Sequence, residues 1–196
     1  MDFKTQLISF VIVFSLSIVG YTQEIKPKPC AKRPLKSRIV VDISEQKLYL
    51  FCTYNKNQPE EMKVYPVSTS KYGIGNRAGS GKTPLGKHYI KQKIGYSAPK
   101  GMIFKARRST GKIAIMNRRG AGDLVTTRIM WLKGRERGKN LGRRIDSFKR
   151  YIYIHGTAEE KKIGKPASHG CIRMYNSHVI DLFNKVKVGT NVSIRR

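Results

Sequence analysis

Short runs of Val, Ile, Leu, Tyr and Phe recur along the body of the chain and are separated by Gly, Pro, Asn and other polar residues. Residues with β-branched and aromatic side chains favour strands, and the breaks between the runs are typical of turns. The pattern predicts strands at 38–43, 47–53, 62–67, 87–94, 126–132, 151–154 and 191–194. Many short strands joined by turns predict a mostly β domain of sandwich or barrel-like form.

One helix is predicted near the C-terminus. Apolar residues recur at helical spacing between positions 179 and 186. Asn176 is suited to cap the first turn, and Gly189 stands where a glycine commonly follows a helix. His178 falls in the first turn and is expected to be exposed, whereas His88 falls in a predicted strand and is expected to be structural.

The first 22 residues have the pattern of a secretory signal. Lys4 precedes an apolar run from Leu7 to Val19, and the small residues Gly20 and Thr22 follow it. The run is shorter than the roughly 20 residues that cross a bilayer as a helix, and a basic start before a short apolar stretch is typical of a signal peptide. The alternative is an uncleaved anchor that keeps the N-terminus in contact with the membrane. Both readings predict an exported protein, located in the periplasm or cell envelope.

Residues 23–37 are rich in Lys and Pro, and this composition predicts an extended tether. The alternative function for its basic residues is contact with an anionic surface. The globular domain is then expected to span residues 38–196.

The net charge of +28, from 40 Lys and Arg against 12 Asp and Glu, implies a polyanionic neighbour. Charge alone does not distinguish nucleic acid, anionic lipid and an acidic polymer of the cell envelope, but the predicted signal argues against nucleic acid. Much of the charge lies in residues 101–150, which carry fifteen Lys and Arg against three acidic residues. We interpret the Gly-rich segment 95–150 as a basic lid over a site, with a solvated surface loop as the alternative.

The chain has three cysteines, and in an exported protein an odd number leaves one of them unpaired. Cys30 and Cys52 can pair with each other or both stay reduced, and the sequence leaves these alternatives open. Cys171 remains in either case.

Cys171 lies among residues that suit nucleophilic catalysis. A thiol needs a nearby base or cation to react near neutral pH, and His155, at the end of a predicted strand, can serve as that base. Gly170 permits a tight turn that would point amide groups at a developing oxyanion. Arg173 has the planar fork of donors that binds a substrate carboxylate.

A metal site built from His155, His169 and Cys171 is the second functional reading of this segment. All three side chains are acceptable zinc ligands. A fourth ligand is not evident from the sequence, and the spacing lacks the paired ligands of a structural zinc module, so we favour the nucleophile.

Two motifs in this region resemble the signature of L,D-transpeptidases with a YkuD-type catalytic domain. They are His155-Gly156-Thr157 and, sixteen residues after His155, Cys171 within Ser168-His169-Gly170-Cys171-Ile172-Arg173. Further blocks at 39–50, 65–70, 82–86, 128–132 and 164–167 are similar to the family in order and content. The resemblance extends over about residues 38–194.

The resemblance implies a catalytic β-sandwich with short helices, which needs no metal and no cofactor. The roles it implies are Cys171 as nucleophile, His155 as general base and then acid, Gly156 as the carbonyl that orients His155, the amides of Gly170 and Cys171 as oxyanion hole, and Ser168, His169 and Arg173 as residues that shape the site and bind substrate.

The substrate class that the resemblance implies is peptidoglycan stem peptides, cleaved before D-Ala and transferred to an amine to form a 3→3 crosslink or a protein attachment. One alternative is hydrolysis, by an L,D-carboxypeptidase or endopeptidase. The other is a non-catalytic basic protein that binds the cell wall.

Overall fold

The computed structural model describes Cys30 and residues 34–120 and 122–196. The predicted signal, 1–22, and most of the predicted tether lie outside the described residues. Within the described residues no helix is both long enough and apolar enough to cross a membrane.

The described chain folds into strands β1–β10 and one α-helix, α1, in the following order. They are β1 Lys36–Asp42, β2 Lys47–Thr53, β3 Glu61–Ser68, β4 Gly86–Ile94, β5 Met102–Lys105, β6 Arg108–Ile113, β7 Val125–Gly134, β8 Tyr153–Thr157, a 3₁₀ helix Glu160–Lys162, β9 Ile172–Met174, α1 Asn176–Lys185 and β10 Asn191–Arg195. Strand residues make up 43% and helical residues 8% of the described chain, which confirms the prediction of a mostly β domain.

The strands form one sheet that closes on itself. The order is β4-β10-β1-β2-β3-β9-β8-β7, and β4 also pairs with β7, so that these strands make a ring. The β5–β6 hairpin extends from the outside of β7. The pairs β1–β10 and β8–β9 are parallel and the other pairs are antiparallel.

Side chains of one face of each strand fill the inside of the ring. Successive strand residues point to opposite faces, and in β7 the residues Met130 and Leu132 point inward while Ile129 and Trp131 point outward. The inner cluster also holds one face of α1, through Val179, Leu182 and Phe183. The outward residues of β7 form a second cluster with Met102, Phe104 and Tyr153. The ring therefore has a packed interior and a second apolar layer outside β7 and β8.

Strands β5, β6 and β9 were not predicted, although the four-residue β5 is mostly apolar. All residues of β6 are exposed, and β9 has only three residues. The segment 95–150, interpreted as weakly structured, contains the β5–β6 hairpin as well as β7. Strand β8 begins and ends later than the predicted 151–154, so His155 lies inside the strand.

Asn176 does not cap the helix, which corrects the prediction. It is the first helical residue, and Tyr175 occupies the cap position without a side-chain hydrogen bond. Its side chain is buried and donates instead to the carbonyl of Thr157, at 2.8 Å. Gly189 lies in the turn before β10, with φ of 90°, and donates its N–H to Ile90.

The two histidines outside the motif are both held by neighbours. His88 is buried, with its ring nitrogens 2.9 Å from the Gly86 carbonyl and 2.9 Å from the Ser147 hydroxyl. His178 was expected to be exposed, but it is half-buried because its ring packs edge-on against Tyr65 and Tyr175.

Cys30 and Cys52 form a disulfide, which decides between the alternatives left open by the sequence. The bond attaches the chain before β1 to the end of β2. Cys171 is the free cysteine among the described residues. Strand β1 begins at Lys36, inside the segment 23–37 interpreted as tether.

Candidate active site

Strands β8 and β9 place the motif residues on one face of the sheet. The strands are parallel and adjacent, with Ile154 opposite Ile172 and His155 opposite Arg173. Ile154 and Ile172 point into the ring. Because side chains alternate along a strand, His155, Arg173 and Cys171 lie on the outer face.

Cys171 is half-buried, between the main-chain groups of two nearby residues. Its Sγ lies 3.4 Å from the amide nitrogen of Tyr153, which donates to it, and 3.4 Å from the carbonyl oxygen of Tyr151, which accepts from the thiol. Burial raises the pKa of the Cys171 thiol to about 12. The side chain is therefore a neutral thiol near pH 7 and needs a base to become a nucleophile.

His155 is oriented by a main-chain carbonyl. The ring is 1% exposed, and its Nδ1 lies 2.7 Å from the carbonyl oxygen of Gly156. That acceptor places the proton on Nδ1 and leaves the lone pair on Nε2. Burial lowers the pKa of His155, with Asp123 acting in the opposite direction, so the ring is neutral near pH 7. No hydrogen bond joins His155 to Cys171 in the described part of the chain, and such contacts often tighten only when substrate binds.

The position of Gly156 leaves no room for a side chain. A Cβ atom there would lie 2.5 Å from Oδ1 of Asn176 and 2.9 Å from the carbonyl oxygen of Thr126. Asn176 also accepts from the hydroxyl of Thr126, at 2.7 Å. The buried amide of Asn176 thus supports the strand end whose carbonyl orients His155.

Gly156→Ala is expected to weaken both the fold and the reactivity of Cys171. The added methyl must displace Asn176 or the strand, with an expected loss of about 1–3 kcal/mol in the free energy of unfolding, and the shifted carbonyl releases His155. Denaturant unfolding and the rate of Cys171 acylation measure the two effects.

Gly164→Ala is the control for that change. Gly164 has φ of 90° and open space around it, so alanine introduces backbone strain of about 1 kcal/mol without moving His155. It should leave the acylation rate unchanged. Equal acylation rates in the two variants would contradict the role of the Gly156 carbonyl.

The guanidinium of Arg173, a residue predicted to bind substrate, is engaged by three side chains of the protein in this structure. Its side chain is 0% exposed. One guanidinium nitrogen donates to Asp123, at 3.0 Å, and to Glu159, at 2.8 Å, and the other donates to the Ser68 hydroxyl, at 3.1 Å. The guanidinium therefore joins three parts of the chain beneath the site.

Asp123 is a site residue that the sequence interpretation missed. Its carboxylate accepts from the backbone N–H of His169, at 3.1 Å, and lies 3.0 Å from the His169 ring and 3.0 Å from Arg173. Burial opposes ionisation, but interactions with His155, His169 and Arg173 hold the pKa of Asp123 below its usual value. The signal in the sequence was an isolated acid within the basic segment 101–150.

Ser168 and Gly170 shape the turn that carries Cys171. Ser168 is buried, and its hydroxyl donates to the carbonyl of Cys171, at 2.7 Å, and accepts from the N–H of Gly170, at 3.2 Å. Gly170 has φ of 124°, which favours glycine, and its carbonyl accepts from Thr83. The Gly170 amide that was predicted to face an oxyanion is thus bonded to Ser168 in this structure.

His169 lies at the rim of the site. Its side chain is 53% exposed, and its ring lies tilted against that of Tyr72, with centroids 5.7 Å apart. The Asp123 carboxylate contacts both the backbone N–H and the ring of His169. Of the residues predicted to bind substrate, His169 is the one whose side chain faces solvent.

An aromatic wall stands beside Cys171, formed by Trp131, Phe148, Tyr151 and Tyr153. Trp131 stacks on Phe148 with ring centroids 3.9 Å apart, and Tyr153 meets Trp131 edge-on. Cys171 packs against the cluster that contains Trp131 and Tyr153. The tip of the β5–β6 hairpin lies over this wall, within the segment predicted to cover a site.

The residues of the alternative metal site are engaged in other contacts. Among the described residues, no group of three or more His, Cys, Asp and Glu side chains is arranged to hold a metal ion.

The fold and the site together define a mostly β domain with a free cysteine and a carbonyl-oriented histidine on adjacent strands. Residues 36–194 match the family model of the L,D-transpeptidase catalytic domain, YkuD. The match covers more than half of the chain, so the protein belongs to this family, as its motifs predicted.

Relatives of this chain align with it over short segments. A Bacillus subtilis protein provisionally named L,D-transpeptidase YqjB is 54% identical over 41 residues, which is 21% of this chain and 23% of that protein. A second, provisionally named L,D-transpeptidase YkuD, from the same organism, is 50% identical over 48 residues, 24% of this chain and 29% of that protein. The chain thus matches less than a third of the length of these relatives.

Solved structures show a distant similarity. An L,D-transpeptidase from Mycobacterium smegmatis is 16% identical, with a TM-score of 0.46, over 82% of this chain and 59% of that chain. An L,D-transpeptidase from Xylanimonas cellulosilytica is 17% identical, with a TM-score of 0.44, over 86% of this chain and 64% of that chain.

Proposed function

We propose that this protein is an exported cysteine L,D-transpeptidase that acts on peptidoglycan stem peptides. The observation that carries the proposal is the free thiol of Cys171 on the outer face of the sheet, one strand from a histidine whose Nδ1 is held by the carbonyl of Gly156. Membership of the L,D-transpeptidase family supports the same reaction class.

Acylation of Cys171 is the first half of the proposed reaction. Sγ attacks the carbonyl between the third stem residue and D-Ala, while Nε2 of His155 takes the thiol proton. The C–N bond of the tetrahedral intermediate then breaks, and His155 returns the proton to the amine of the departing D-Ala. The product is a thioester on Cys171.

Transfer to an acceptor is the second half. An amine of another stem attacks the thioester, His155 takes the amine proton, and the thiolate leaves and is reprotonated. The new amide is a 3→3 crosslink, or a protein attachment when the amine belongs to a protein. Water in place of the amine would give a shortened stem.

The Asp123 carboxylate favours the proton transfer to His155. A neutral thiol and a neutral imidazole must become a thiolate and an imidazolium, and this separation of charge is costly in a buried site. The Asp123 carboxylate raises the pKa of His155 and thereby stabilises the imidazolium. Arg173 holds Asp123 in place, although its own charge lowers the pKa of His155.

Export is supported by the disulfide as well as by the N-terminal pattern. Disulfides persist mainly in oxidising compartments outside the cytosol, and Cys30 is bonded to Cys52. The predicted signal, 1–22, leads to the same compartment, where the anionic cell-envelope surface and peptidoglycan are the proposed partners. Fusion of the first 40 residues to a reporter that is active only after export tests this localisation.

Intact-protein mass spectrometry tests the reaction class. The folded protein is incubated with tetrapeptide stems, and we expect a mass increase that maps to Cys171. Analysis of the released muropeptides then distinguishes crosslinks from shortened stems. A folded protein that forms no adduct with any stem would refute the proposal.

Activity on whole peptidoglycan is expected to fall with salt far more than activity on a soluble stem peptide. The charge of +28 attracts the protein to an anionic polymer, and the Debye length falls from about 10 Å at 0.1 M to about 3 Å at 1 M salt. Rates on both substrates, measured across this range, check the prediction. The soluble peptide is the internal control, and parallel salt curves for the two substrates would contradict it.

A further inference from the structure

The tip of the β5–β6 hairpin has an unusual backbone. Ala106 and Arg107 join the two strands between the paired residues Lys105 and Arg108. Both have positive φ, 47° for Ala106 and 68° for Arg107. Two-residue turns of this kind normally contain Asn or Gly, because the left-handed conformation is unfavourable for other residues. Such strain is most often retained at functional sites.

The turn places the Arg107 guanidinium over the aromatic wall of the site. Its central carbon lies 4.8 Å from the ring centroid of Trp131 and 5.0 Å from that of Tyr151. The neighbouring phenol of Tyr153 raises the pKa of Arg107 above its ordinary value. Stacking on rings holds the plane of a guanidinium while its N–H edges stay available to a ligand.

The same aromatic residues position Cys171. The backbone N–H of Tyr153 donates to Sγ, and the carbonyl of Tyr151 accepts from the thiol. Arg107 therefore lies against the side chains of residues whose main-chain groups hydrogen-bond to the Cys171 thiol.

Arg107 has no carboxylate partner among the ion pairs of the described residues, unlike several other arginines of the chain. Arg38 pairs with Glu60, Arg195 pairs with Asp42, and Arg173 pairs with two carboxylates. The positive charge over the aromatic wall therefore has no carboxylate partner among the ion pairs of the described residues. A planar, weakly hydrated guanidinium of this kind matches the geometry of a carboxylate.

We propose that Arg107 binds a carboxylate of the donor stem peptide beside Cys171. The inference rests on the proposed function. It assigns to Arg107 the binding of a substrate carboxylate, which the sequence had suggested for the buried Arg173. The carboxylate is either the C-terminal group of the residue that leaves or a side-chain carboxylate of the stem, and amidation of one or the other separates these sources.

Three donors and three variants test the proposal. The donors are the free tetrapeptide stem, its C-terminal amide and the stem with its side-chain carboxylates amidated, and the variants are Arg107→Gln, Arg107→Lys and Arg108→Gln. Arg108 is adjacent and exposed, so Arg108→Gln removes the same charge from the same hairpin. We expect Arg107→Gln to lower kcat/KM for the free stem by about 10- to 100-fold, as for loss of a charge-assisted pair worth about 1.5–3 kcal/mol.

The pattern across donors decides the outcome. Amidation of the recognised carboxylate should remove most of the difference in kcat/KM between Arg107→Gln and the unchanged protein. On the free stem, Arg107→Lys should retain part of the kcat/KM of the unchanged protein. Arg108→Gln should retain all of it. Equal losses on all three donors, or an equal loss in Arg108→Gln, would overturn the proposal.

Binding without turnover separates this inference from the proposed function. Trp131 is the single tryptophan of the chain and lies under Arg107, so its fluorescence reports a ligand there. In the Cys171→Ala background, Arg107→Gln should weaken stem binding by about tenfold or more, and Arg108→Gln should not. If Arg107→Gln binds the stem as tightly as the unchanged protein, or if no stem binds at all, the inference about Arg107 is contradicted. If the stem binds but does not acylate Cys171 in the unchanged protein, the proposed function alone is contradicted.

Discussion

Cys171→Ser is expected to lower the rate of acyl-enzyme formation by at least about a thousandfold, and Cys171→Ala to abolish the adduct. A serine hydroxyl is a much weaker nucleophile than a thiol unless a base activates it fully. In this site the base must already take a proton from a group whose pKa burial has raised to about 12, and a hydroxyl holds its proton more strongly still. Intact-protein mass spectrometry with tetrapeptide stems or a carbapenem measures the adduct.

The Cys171 variants are expected to stay folded, so a lost adduct can be assigned to the missing thiol. Cys171 is half-buried at the edge of the outer cluster, so loss of its sulfur should change the free energy of unfolding by only about 1 kcal/mol. Denaturant unfolding of Cys171→Ala checks that the fold persists. Acylation or turnover that survives in a folded Cys171→Ala protein would assign the chemistry to another residue, and sedimentation of that variant with peptidoglycan shows whether wall binding is independent of catalysis.

Arg173→Met is expected to destabilise the fold by about 3 kcal/mol. Methionine fills much of the volume but leaves Asp123, Glu159 and Ser68 without their shared partner. Removal of one member of a buried ion pair commonly costs about 3–5 kcal/mol, and the low end applies because the carboxylates are partly exposed. Denaturant unfolding measures the change, and Asp123→Asn combined with Arg173→Met should restore part of the loss by removing an unpaired charge.

Arg38→Met is the matched control. Arg38 also pairs with a carboxylate, that of Glu60, but the two side chains are 44% and 41% exposed, and exposed pairs contribute only about 0–1 kcal/mol. A small stability loss in Arg173→Met accompanied by a large rise in KM would instead favour direct contact between Arg173 and substrate.

Local sequence patterns were sufficient for most of the ring. Strand β2 was predicted with its observed bounds, and β1, β3, β4, β7 and β10 within a few residues. In these strands the burial of alternate residues demands apolar side chains at regular spacing. The exposed β6 was missed because it lacks alternating apolar residues, and β9 was missed because its three residues are too few to show a pattern, although all three are buried.

Residue type and spacing predicted Cys171 and His155 as a reactive pair, and the resemblance of their motifs indicated the family that the family model confirms. The free cysteine, the histidine and the glycine-rich turn follow from the sequence because a motif of this kind is local, and local chemistry needs those residue types in that order. The charge of +28 and the N-terminal pattern likewise predict an exported protein at an anionic surface.

The tertiary structure decided what each neighbouring charge does. Arg173 is two residues from Cys171, and nothing in the sequence distinguishes an arginine that binds substrate from one that is buried. The fold brings Asp123 and Glu159 to Arg173, and the guanidinium is fully buried against their carboxylates. Arg107 is 64 residues from Cys171 in sequence, and only the hairpin turn places its guanidinium over the aromatic wall against which Cys171 packs. Such long-range pairings depend on which strands become neighbours when the sheet closes, which is why no local pattern reveals them.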